Sequence, residues 1–324
     1  MGLLLAAIMS ITNVLTDVAR KHALDRRDLV PATFWIRIAV AAVFVLVLAF
    51  RVLSGASRLE VREPGLFAMY LVLDVALITI VMWLYFRALQ ISPMSLCVPF
   101  LAFTPVFLIP SGWILLGEMP ATQKLLGVVL IVVGSLVMHR RLFAQGLAAP
   151  VKAVIQEKGS RYMLLVSFIF SITNPLDKKL VQLSDIYIES VAYGLGLCVS
   201  FLLLAKLQKA DFAAAVHKNV KWISLAGLSD AVSLLFQLAS YTYIAVVITV
   251  SIKRAGIILA VLAGWLFFHE RGITDKLIAS SVMFCGVLIL YLPVTGAQAA
   301  MLTAATLVGM AAALYFVPPA KEVK

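Results

Sequence analysis

The sequence predicts an all-α polytopic membrane protein of ten transmembrane helices in two inverted five-helix repeats. Four observations predict it. Of 324 residues, 63% are hydrophobic and 13% charged, whereas a soluble domain carries about 25% charged residues. The mean hydropathy of +1.03 requires a solvent other than water around much of the surface. The apolar runs repeatedly reach the roughly 20 residues that a helix needs to cross a hydrocarbon core about 30 Å thick. Finally, patterns in the first half of the chain return, in the same order, in the second half.

In chain order, the expected spans are 2–19, 31–50, 66–86, 94–116, 125–138, 162–176, 186–205, 222–244, 246–268 and 277–293. The uncharged segment 299–317 is a candidate eleventh span, followed by Pro318, Pro319 and a charged tail. The longest polar stretch lies near the middle of the chain. The expected organisation is therefore a first five-helix repeat over 1–139, a linker over 140–161, a second repeat over 162–293 and an extension over 294–324. Met1–Ala19 lacks a basic leading region and is interrupted by Asn13 and Asp17, which argues against a cleaved signal peptide. Alternating ten-residue segments, the pattern of an outer-membrane barrel, do not occur.

Three matches relate the halves. SITN at 10–13 returns at 171–174, each copy followed by an aspartate, Asp17 and Asp177. Asp74 and Tyr85 are spaced as are Asp230 and Tyr241. The stretch LGEMPATQKLLGVVLIVVG at 116–134 aligns with FHERGITDKLIASSVMFCG at 268–286, matching Glu118 with Glu270, Lys124 with Lys276 and Gly134 with Gly286. Five spans per half is an odd number, so the second half enters the membrane from the opposite side. Inverted repeats of this kind place a substrate site near the midplane.

Enzyme chemistry finds no support in the motifs. Nucleophile-elbow, zinc-protease, P-loop and dinucleotide-binding patterns are absent, so no catalytic residue, metal ligand or cofactor is expected. Cys97, Cys198 and Cys285 all fall in apolar segments and read as packing residues. The formal net charge of +11 reads as basic loops at a membrane surface, with no nucleic acid implied.

Charges within the spans are the informative ones. An ionised side chain at bilayer depth costs at least about 2.5–3.5 kcal/mol and usually faces protein or water beside a partner. At 1.5 Å of rise per residue, Asp74 and the Lys253-Arg254 pair come to roughly 10–12 Å from the side of the N-terminus. Arg37 and Asp230 come to a similar depth from the other side, which suggests two charged layers. The Arg37/Asp230 layer balances and reads as structural. The other has two cations against one acid. An arginine fork beside a lysine suits the phosphate or carboxylate of a cargo; the bland alternative makes one cation an internal strut and lets the other snorkel along its helix. Tyr85 and Tyr241 share a helix face with Asp74 and Asp230, where they could line a cavity or belong to an interfacial belt. Asp17, Asp177, Glu118 and Glu270, near span ends, read as caps and interfacial groups. Asn13 and Asn174 read as helix-helix hydrogen bonders.

The paired segments at 116–134 and 268–286, the arginine of TFWIRIAVAAVF in the second span, and Pro105 (replaced by Ile257 in the second half) resemble the drug/metabolite transporter superfamily, EamA type. The resemblance covers about residues 1–293 and implies ten helices in two inverted repeats that move small metabolites. SIKRAGI at 251–257 also resembles the Lys-Arg pair of the triose-phosphate and nucleotide-sugar translocator branch.

The expectation is a secondary transporter of a small anionic or zwitterionic metabolite in a bacterial cytoplasmic membrane. The residues assigned to substrate are Lys253, Arg254, Asp74, Tyr85 and Tyr241, with a coupling proton or ion and a homodimer compatible with the pattern. The alternative is a flippase for a phosphate-bearing lipid or lipid-linked sugar. Lys and Arg, Arg20 counted among them, crowd the loops opposite the N-terminus, placing the N-terminus outside by the positive-inside rule, whereas the resemblance implies the reverse.

Overall fold

The structure, a computed structural model, describes residues 2–23, 29–55, 60–116, 125–137, 146, 152, 156–209, 212–243, 246–270 and 272–316. Every expected span falls on helix. The helices are α1 (Gly2–Ala23), α2 (Leu29–Leu53), α3 (Pro64–Ile91), α4 (Met94–Cys97), a 3-10 segment (Val98–Phe103), α5 (Thr104–Leu116), α6 (Leu125–Val137), α7 (Lys158–Leu183), α8 (Ile186–Leu207), α9 (Phe212–Tyr241), α10 (Val246–Phe268), α11 (Ile273–Tyr291) and α12 (Gly296–Phe316). Among the described residues, six segments are long and apolar enough to cross a membrane. With no water in the hydrocarbon, each backbone polar group must bond within its own segment, and a helix meets that demand.

Three departures from straight helix have local causes. The expected fourth span is α4, the 3-10 segment and α5 in succession. Pro99 opens the 3-10 segment without a backbone N–H to give. Pro175 lies inside α7 and leaves the Ser171 carbonyl without its helical donor; the Ser111 hydroxyl donates to it at 2.9 Å. α9 bends at Asn219 (φ −141°, ψ 27°), whose amide donates to the Ala23 carbonyl at the end of α1, 3.3 Å away.

α7 begins inside the stretch expected as linker because Glu157 caps it. Its carboxylate accepts from the Ser92 hydroxyl, from the backbone N–H of Ser160 and from that of Gly159 at 3.1 Å. Burial alone would raise the Glu157 carboxyl, but the bonds from Ser160, Ser92 and Gly159 together hold it below its ordinary value.

The chain forms two compact units, and each draws on both halves of the sequence. The first comprises 1–90 and 172–249, and the second 91–171 and 250–324. In the first unit α1 packs along α9, and α2 packs on both α8 and α9. Gly227 of α9 permits the approach to α2, since a Cβ there would stand 2.5 Å from the Ala39 Cβ and 3.2 Å from the Ile36 carbonyl oxygen. In the second unit α6 packs along α11, and α12 lies against both. The expected eleventh span is thus a helix joined to a core containing Leu130, Val282, Ile289 and Ala299. Gly134 and Gly286, aligned in the sequence, meet at the α6–α11 contact. A Cβ at Gly134 would stand 2.8 Å from the Ala279 carbonyl oxygen, and one at Gly286 2.6 Å from that of Gly127. Small residues let membrane helices approach until their backbones touch.

Candidate functional site

The buried charges of the first unit fall into two clusters. One is built by α1, α2, α3 and α9. Arg37 sits one-third of the way along α2 at 2% exposure, and its Nη2 donates to Asp230 Oδ2. Arg20, near the end of α1, donates to the same oxygen at 2.7 Å. Arg20 also lies 3.6 Å from Asp17, one helical turn before it, and its guanidinium covers the Phe86 ring, 5.0 Å from the centroid. The Tyr85 hydroxyl donates to Asp17 Oδ2 at 2.6 Å. Two arginines therefore meet two aspartates, so the cluster is neutral without a cargo. Asp230 accepts from both arginines and Asp17 from Tyr85, which offsets part of the cost of burying the charges, while the Nε atoms of Arg20 and Arg37 are buried without a hydrogen-bond partner.

Sequence reasoning brought Arg37 and Asp230 to one depth, and the structure joins them. It corrects two neighbours. Arg20, counted among the loop cations, is buried at 8% exposure, and Asp17, read as an interfacial group, is buried at 1%. Tyr85 serves Asp17 rather than an open cavity. Tyr241 is likewise buried, with its hydroxyl accepting from the Gln237 amide at 2.9 Å.

The second cluster comes from α3, α7 and α8. Asp74 is completely buried, and neither carboxylate oxygen has a hydrogen-bond partner. The charges acting on it are Asp177 of α7 and Glu189 of α8, both of its own sign. Glu189 is 1% exposed, with its Oε2 unbonded. Tyr193, one turn on, is buried and lies in the field of Asp74 and Asp177. Sequence reasoning missed Glu189. The available signal was local: Glu189 is a charged residue inside an expected apolar span, 186–205, and like Arg37 it follows an aromatic residue and an isoleucine.

The remaining assigned residues lie in the second unit. Lys253 is half-buried on α10; the Arg254 side chain and Glu118 fall outside the described residues. Glu270 is a cap. Its carboxylate accepts from the backbone N–H of Met94 at 2.7 Å and of Ser95 at 2.8 Å, and from the Ser95 hydroxyl. Lys276 donates to the same hydroxyl at 2.6 Å. Among the described residues no three His, Cys, Asp or Glu side chains are placed to hold a metal ion.

Apolar helices long enough to span and ion pairs sealed inside them describe a protein that lives in a bilayer and holds charge there. Residues 1–140 match the EamA-like transporter family. The activity that accompanies this match is membrane transport of a small molecule, and the chain is an integral membrane protein. The EamA-like segment contains Asp17, Arg20, Arg37, Asp74 and Tyr85, while Asp177, Glu189 and Asp230 lie beyond it. A solved crystal structure resembles the chain with a TM-score of 0.54 at 14% identity, covering 88% of this chain and 96% of its own. That likeness concerns the fold alone. No curated protein matches the chain.

Proposed function

We propose that this EamA-like protein is a secondary carrier that moves a small anionic or zwitterionic metabolite by alternating access. The observation that carries the reading is Lys253. It is half-buried in α10, whose 23 residues contain no charge besides Lys253 and Arg254. Two adjacent cations in an apolar helix are costly at bilayer depth unless a counter-charge meets them. An anionic group of the cargo suits such a pair. The lysine gives a compact charge and the arginine a planar fork for carboxylate or phosphate.

The same reading takes the chain as two inverted five-helix repeats, 1–139 and 162–293. Corresponding helices pack together in support of it, α2 with α8 and α6 with α11. The aligned Gly134 and Gly286 lie at one contact. Repeats related in this way supply two alternative arrangements of similar energy, as alternating access requires.

Purified protein in proteoliposomes, screened for counterflow of carboxylate-bearing, phosphate-bearing and zwitterionic metabolites, tests the proposal. Arg254→Lys keeps the charge and loses the fork. Uptake should drop about tenfold or more, the scale of a lost charge-assisted hydrogen bond. A well-expressed Lys253→Ala/Arg254→Ala protein that transports at the normal rate overturns the assignment.

A further inference from the structure

We propose that Asp74, with Glu189 beside it, is a proton-binding site that is occupied at neutral pH. The case rests on placement. Asp74 lies in the middle of α3, 0% exposed, and both of its oxygens are unbonded. An ionised carboxylate cannot be kept there without a donor or a cation, because the desolvation cost far exceeds that of taking up a proton.

The groups facing it do not provide that cation. The charges that act on it are Asp177 of α7 and Glu189 of α8, and each would repel a second negative charge. Tyr193 of α8 is neutral and itself buried. Arg37 and Asp230, also within the field of Tyr193, are bonded to each other. Lys179 of α7 lies over the Tyr70 ring, 5.4 Å from its centroid. Among the described residues no ion pair reaches Asp74, and no three acids stand close enough to share a metal ion. A proton is the neutralising species that remains, and it needs no coordination shell. Ionisable groups inside membrane helices serve substrate pathways, ion pathways and proton relays; a carboxyl that binds a proton here would let transport respond to a proton gradient. The inference is independent of the cargo and of Lys253 and Arg254, so either proposal can fail alone.

Infrared spectroscopy of the full chain in lipid nanodiscs reads the proton directly. The wild type should show the C=O stretch of a protonated carboxylic acid at neutral pH. That band should shift on exchange into heavy water and fade as the medium is made alkaline. Asp74→Asn, an amide of the same shape as the protonated acid, should remove it. A wild-type spectrum without the band overturns the proposal. So does a band unaffected by Asp74→Asn, or one that neither exchanges nor titrates, which would mark a sealed packing residue. Should Asp74→Asn fail to fold, Asp74→Glu moves the carboxyl by one methylene and must change the band's frequency; an unchanged band again overturns the proposal.

Discussion

Asp17 and Asp230 lie with two arginines and a tyrosine, whereas Asp74 and Asp177 lie with a glutamate and a tyrosine. Two pairs correspond in the repeat pattern, Asp17 with Asp177 and Asp230 with Asp74. Those acids persist in both halves, and the side chains around them differ. The first cluster closes on itself as an internally neutral network, in which Asp230 serves both arginines. The second has no described cation bonded to Asp74 and leaves that carboxylate without a donor. The same backbone pattern thus supports a rigid strut at one place and a group able to exchange a proton at the other. Two arginines in the first cluster, against a glutamate and no described cation bonded to Asp74 in the second, separate them.

Breaking the first cluster should have the largest effect. Asp230→Ala strands Arg20 and Arg37 together in a buried site. A loss of about 3–5 kcal/mol is expected from removing one side of a buried pair. Thermal unfolding in detergent would show it as a steep drop in Tm or as failure to accumulate. A variant unfolding like wild type would mean that the arginines find other partners and that the network is not structural.

Tyr85→Phe tests the rim of the same cluster. It removes one hydrogen bond to a charged carboxylate, for which about 1.5–3 kcal/mol is the usual scale. A Tm unchanged within error would show that Asp17 does not depend on that hydroxyl.

The smallest stability effects belong to the second cluster. Asp74→Asn and Glu189→Gln keep shape and remove only the ability to ionise. Each should change stability by less than about 1 kcal/mol, while Asp74→Asn alters the pH dependence of transport. Should Asp74→Asn cost as much as Asp230→Ala, Asp74 would be ionised and paired, and the contrast between the clusters would vanish.

The sequence by itself determined the helices and the depth of some charges. Runs of about 20 apolar residues in lipid have no alternative to the helix, so the expected spans fall on helical segments, the fourth divided by a 3-10 segment. Counting rise along those helices was enough to bring Arg37 to the level of Asp230. Only the tertiary structure decided the lateral relations, because depth says nothing about which face of a helix meets which neighbour. Arg20 at the end of α1 looked like a loop cation until α9 was laid along α1 and carried Asp230 to it. Asp17 looked interfacial until α3 brought Tyr85 across. Glu189, four residues into α8, gained its meaning from Asp74 on another helix. Packing also decided that the compact units cut across the halves, since a helix buries its small-residue face against whichever helix fits it, wherever that helix lies in the chain.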